Sequence, residues 1–196
     1  MSANPKTNAR WWLLIGMLVV IMPLIIAIVF LRPCIFSDPK TTILLVRHAE
    51  KGATPGDDFV HPDGSRGPAL TDPAGLARAQ GLAHVAGEAG VTAIYHTQYL
   101  RTRQTIEPLD SIVSGNTTQM FEADRVDDLV NDVLNNHRGE VVVIASHSNK
   151  VPEIIERLGG PHLPEIEGGD FDNLFVITVS CKNPPKVVRL KYGQPT

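Results

Sequence analysis

The chain lacks several features that would have declared its chemistry at once. Only two of its 196 residues are cysteine, Cys34 and Cys181. They allow one disulfide or stand as two unrelated thiols, and their spacing in sequence does not measure their separation in space. There is no Gly-rich P-loop, no His/Asp cluster with metal-ligand spacing and no internal repeat. Positive charge is not in excess either: residues 38–196 carry 15 basic and 21 acidic side chains. So acidic a domain is a poor general binder of nucleic acid, because phosphate backbones reward net positive charge. Any phosphate chemistry must come from a local cationic pocket rather than a global field.

One long apolar run is present. Residues 11–31, WWLLIGMLVVIMPLIIAIVFL, are 21 uncharged, strongly apolar positions. At about 1.5 Å per residue they span the roughly 30 Å hydrocarbon core of a bilayer. Trp11 and Trp12 sit where an interfacial aromatic anchor belongs, Arg32 closes the far end, and membrane helices tolerate a mid-span Pro23. The run is longer than a signal-peptide core and no small-x-small cleavage site follows it, which argues against a cleaved leader. The expected organisation is a short basic tail at 1–10, a transmembrane anchor at 11–31, a linker at 32–40 and one domain at 41–196. Lys6 and Arg10 before the span favour an N-terminus inside and a catalytic domain on the extracytoplasmic side.

Strand-like and helix-like stretches alternate through the domain. TTILLVR (41–47) and EVVVIAS (140–146) have continuous apolar centres, as strands buried on both faces do. VTAIYHT (91–97), TTQMF (117–121), NLFVITVSC (173–181) and KVVRLKY (186–192) read as further strands, the last two as a hairpin. Helices are expected over 70–90, opened by Thr71 or Asp72, over 99–113 with a break or bend at Pro108, over 124–139, and over 148–160. Residues 52–69, dense in Gly, Pro and Asp, form a loop long enough to cover a site. This alternation predicts an α/β three-layer sandwich around a mixed, mainly parallel sheet.

Ligands bind outside the carboxyl ends of the strands in such a sheet. Arg47 and His48 follow the first strand, Arg101 and Arg103 the second, and His147 the strand at 140–146, so three strands deliver cations to one sheet edge. Arginine grips two phosphate oxygens with a planar fork and stays charged. A neutral imidazole can attack phosphorus, provided an acceptor holds its other nitrogen and a carboxylic acid protonates the leaving alkoxide. Glu122 and Asp124 both follow the third strand; Glu122, directly at the strand end, is the preferred proton donor. Arg103 is read as a surface charge, and Thr102 and Thr105 as helix-packing residues.

Four segments in order, LVRHAEK, LTDPAGLARAQGLA, IYHTQYLRTRQT and VIASHSNKVPEII, resemble the histidine phosphatase superfamily, the phosphoglycerate-mutase-like enzymes. The resemblance covers about residues 41–181 and implies an α/β sandwich. It makes His48 the phosphorylated nucleophile, with Arg47 and Arg101 as phosphoryl clamps and His147 completing the pocket. Glu50 matches the family's acidic position and is counted with the substrate-binding groups. The long insertion of mutase-type members is missing, so the chain is similar to the compact phosphatase branch. It implies a metal-independent phosphomonoesterase with no cofactor, acting on a phosphorylated small molecule or envelope component. A mutase of the same superfamily and a non-catalytic phospho-ligand-binding domain are the alternatives.

Overall fold

The computed structural model describes residues 38–196. The anchor expected at 11–31 lies outside the described residues, as do the tail at 1–10, most of the linker and Cys34 with its possible bridge. Among the described residues no helix is long and apolar enough to cross a membrane.

The described residues form six strands and four helices in chain order: β1 (Thr41–Arg47), α1 (Ala74–Ala86), β2 (Val91–Thr97), α2 (Leu100–Ile112), β3 (Thr117–Phe121), α3 (Val126–Asn136), β4 (Val141–Ser146), α4 (Lys150–Arg157), β5 (Asn173–Val179) and β6 (Lys186–Lys191). They make one sheet of order β3-β2-β4-β1-β5-β6. The first four strands in that order run parallel; β5 is antiparallel to β1, and β6 to β5. The mixed, mainly parallel sheet matches the sequence reading.

The central strands are apolar on both faces because helices cover both. Ile43 and Leu45 of β1 and Val142 and Ile144 of β4 pack with Val130 and Val133 of α3 and Ile154 and Ile155 of α4. The alternate residues Leu44, Val46, Val143 and Ala145 pack with Leu82 and Ala86 of α1 and Ile106 and Leu109 of α2. Side chains two apart share a face, so a continuous apolar run fills two cores at once. Burial of each large aliphatic side chain contributes about 1.5–3 kcal/mol before entropy is counted.

Two helix expectations need comment. The Thr71 hydroxyl takes the Gly75 amide at 3.2 Å, satisfying a first-turn donor of α1 as a capping residue does. Helix α2, however, runs through Pro108 to Ile112 rather than ending there. The ring removes one intrahelical hydrogen bond, but Ile106 and Leu109 on either side are fully buried and hold the helix to the sheet.

Candidate active site

The sheet register sets the site. Arg47 at the end of β1 pairs with Ser146 at the end of β4, so His48 and His147 leave adjacent strands at the same level. The His48 amide donates to the Ser146 carbonyl at 2.8 Å and prolongs the pairing by one step. Helix α2 starts three residues after β2 and brings Arg101 in on its first turn. All four side chains line one cavity of about 400 Å³, together with Lys51, Asp57, Tyr99, Asp124, Ser148, Lys150 and Glu165. The four are nearly buried: Arg47 is 7% exposed, His48 3%, Arg101 5% and His147 8%. The two imidazole rings meet edge-on with centroids 5.5 Å apart.

Proton positions follow from hydrogen-bond partners. His48 Nδ1 lies 2.7 Å from the Ala49 carbonyl, which can only accept, so Nδ1 carries the hydrogen and Nε2 the lone pair. Thr105 fixes that carbonyl's residue: its hydroxyl accepts from the Ala49 amide at 2.9 Å and donates to the Arg101 carbonyl at 2.7 Å. His147 is set by a chain of hydroxyls. Thr102 Oγ1 donates to the Tyr99 carbonyl at 2.7 Å and must therefore accept from Thr97 Oγ1 at 2.9 Å. The Thr97 hydroxyl proton is thereby used, so the bond at 2.9 Å to His147 Nε2 is donated by the imidazole. His147 Nδ1 is left as an acceptor, 3.4 Å from Arg101 Nη2. Thr97, Thr102 and Thr105 thus serve the site as well as the packing.

The arginines are held from outside the motifs. Arg47 Nη1 donates to the carbonyls of Glu167 at 2.8 Å and Asp170 at 3.2 Å, and its guanidinium stacks 4.0 Å above the Phe171 ring. Arg101 stacks 4.2 Å from the Tyr99 ring and pairs with Asp57 at 2.9 Å and 3.5 Å through its two Nη atoms. Nε of both arginines is buried with no partner. A buried donor left unpaired costs about 1–3 kcal/mol, and Arg103 Nε, away from the cavity, is in the same state; what sets the cavity apart is that two nearly buried guanidinium groups line it together.

Burial is the main cause that lowers the pKa of His48 well below the ordinary histidine value; the Ala49 carbonyl raises it in part, and His147, Arg101 and Arg47 lower it further. Burial, then Arg101, lowers His147 to about 3. Both rings are neutral at pH 7. The unfolded chain therefore takes up protons below the ordinary value of 6.5 that folded His147 refuses until about pH 3, so stability falls as pH drops through that window. His147 alone should cost about 2 kcal/mol between pH 7 and 4.5. Denaturant midpoints across that range should show the slope, and His147→Asn should flatten it.

Two expected site residues lie elsewhere. The Glu50 carboxylate is taken by Arg78 Nε and Nη2, with contacts of 2.7–3.0 Å, and does not line the cavity. Arg78 also holds the Tyr192 and Gln194 carbonyls, so Glu50 ties the turn after His48 to the C-terminal segment. Glu122 is also absent from the cavity, whereas Asp124 lines it and pairs with Lys150 at 3.1 Å. Strand-end position favoured Glu122, but the turn between β3 and α3 presents Asp124 instead. Arg103 pairs with Asp63 at 2.8 Å, away from the cavity. Among the described residues no group of three His, Cys, Asp or Glu could hold a metal ion.

No protein-family model matches the sequence, and no curated protein matches it. Solved structures do match in shape. The protein histidine phosphatase SixA, determined with tungstate, superposes with a TM-score of 0.61 at 15% identity, over 76% of this chain and 96% of that one. Bacillus stearothermophilus YhfR gives 0.57 at 16% identity, over 76% and 95%. Plasmodium falciparum phosphoglycerate mutase gives 0.52 at 13% identity, over 80% and 94%. At these identities the likeness is one of fold.

Proposed function

We propose that this chain, which has the fold of the histidine phosphatase superfamily, is a phosphomonoesterase working through a phosphohistidine and needing no metal. One observation carries the reading: a neutral imidazole with Nδ1 tied to a carbonyl shares a cavity with two nearly buried guanidinium groups. His48 Nε2 attacks phosphorus as the ester P–O bond breaks. Asp124 gives its proton to the leaving alkoxide. It then takes a proton from the water that attacks the phosphohistidine, and orthophosphate leaves with His48 neutral again. Arg47 and Arg101 hold the phosphoryl oxygens and oppose the charge that builds on them, and His147 joins them once the arriving dianion draws a proton onto its Nδ1.

The full chain, given a chromogenic phosphate monoester in excess chelator, should turn over. Acid-labile phosphate should be trapped on the protein after rapid quench. Turnover that stops in chelator and returns with added metal would defeat the reading, and so would the lack of any trapped intermediate when phosphorylation outruns hydrolysis. The proposal includes the membrane anchor, supported by the apolar run at 11–31 and its flanking charges; a reporter fused to the C-terminus tests its topology.

A further inference from the structure

The cavity's charges describe what surrounds the phosphoryl group. Four basic side chains line it, Arg47, Arg101, Lys51 and Lys150, against three acidic ones, Asp57, Asp124 and Glu165. A phosphoryl dianion turns that balance of +1 into −1, or into 0 when Asp124 carries the proton it gives to the leaving group. The outer cations are also already matched. Lys51 pairs with Asp57 at 3.2 Å, and Lys150 with Asp124 at 3.1 Å and Glu153 at 3.1 Å. No lining cation is left over for a second anionic group on the substrate.

Beyond the rim the same pattern continues. Glu165 lines both this cavity and a neighbouring one of about 440 Å³. Leu163, Ile166, Phe175 and Val187 give that second cavity apolar walls, and Glu167 and Asp170 border it. Among the described residues the only basic one there, Arg189, already donates to Asn173 at 2.7 Å and lies 3.7 Å from Asp170. Glu167 and Asp170, which line the second cavity, hold through their carbonyls the Arg47 that lines the first. Leaving the phosphoryl site past Glu165, a substrate meets carboxylates and apolar surface.

We propose that the phosphoryl group is carried on a cationic body with apolar surface, and that Glu165 reads its charge. This deepens the phosphatase reading and rests on it. Ser148 Oγ donates to Glu165 Oε1 at 2.9 Å and fixes one oxygen, leaving Oε2 for an ammonium or guanidinium group. Phosphorylated acids, bisphosphates and nucleoside polyphosphates place negative charge where the cavity has no cation to spare.

Phosphoethanolamine and phosphoglycolate test this, since they differ mainly in an ammonium against a carboxylate two carbons from the ester oxygen. With the full chain, kcat/KM should favour phosphoethanolamine by about 10-fold or more, the scale of one partly screened charge contact changed from attraction to repulsion. Glu165→Lys should bring the ratio to parity or reverse it, with Glu165→Gln between. Being a ratio within each protein, it is insensitive to the fraction folded. Parity or a preference for phosphoglycolate in the wild type overturns the proposal and leaves the phosphatase reading standing. A wild-type preference unmoved by Glu165→Lys removes Glu165 from it. Hydrolysis of neither ester, nor of the chromogenic one, would mean the phosphatase reading itself has failed.

Discussion

Replacing His48 with alanine should lower turnover of a phosphate monoester by about 10⁴-fold or more and abolish the trapped phosphoenzyme. The ring does something no neighbour can replace. Its Nδ1 hydrogen is committed to the Ala49 carbonyl, and its partner His147 presents Nδ1 to Arg101 rather than a second free nucleophile. Water attacking directly would meet the same clamps but would lose the two-step path. The fold should tolerate the change, because the packing around His48 rests on the strand ends and on Thr105. Orthophosphate binding by calorimetry separates lost chemistry from lost structure: the variant should still bind. Retained turnover would remove the covalent mechanism.

The second large effect is at Arg47. Arg47→Lys should reduce kcat/KM by about 10²- to 10³-fold, close to the loss in Arg47→Ala, although it keeps the charge. The guanidinium does two things at once in fixed directions: it donates to two carbonyls and lies over Phe171. An ammonium on a flexible stem cannot hold those directions together. Full activity in Arg47→Lys would show that charge alone is needed and that the segment at 167–171 is not part of the clamp.

The strands and the cationic sheet edge were legible for one reason. The core strands are apolar runs followed within a few residues by an arginine or a histidine, and a parallel sheet carries such stops to one edge. Arg47, His48, Arg101 and His147 could therefore be brought together without coordinates. What escaped depends on side-chain direction. Glu122 and Asp124 are two residues apart, and only the turn between β3 and α3 decides which reaches the cavity. Glu50 is two residues beyond His48, yet its carboxylate goes to Arg78, 28 positions away in sequence. The hydroxyl chain from His147 through Thr97 and Thr102 was hidden because threonine at a helix start is ordinarily a packing or capping residue. The helix expected over 99–113 is there, and Pro108 does not break it because the buried Ile106 and Leu109 hold it to the sheet.

The ion pair between Asp57 and Arg101 has a kinetic consequence. The Asp57 carboxylate, half open to solvent, sits across the Nη edge of a guanidinium that the proposed mechanism also assigns to the phosphoryl group. Arrival and departure of phosphate are then exchange reactions rather than simple binding and release. The tethered carboxylate weakens capture of every oxyanion by the fraction of time it holds the arginine. It also replaces departing orthophosphate from a distance no dissolved anion can match, which shortens the product's stay.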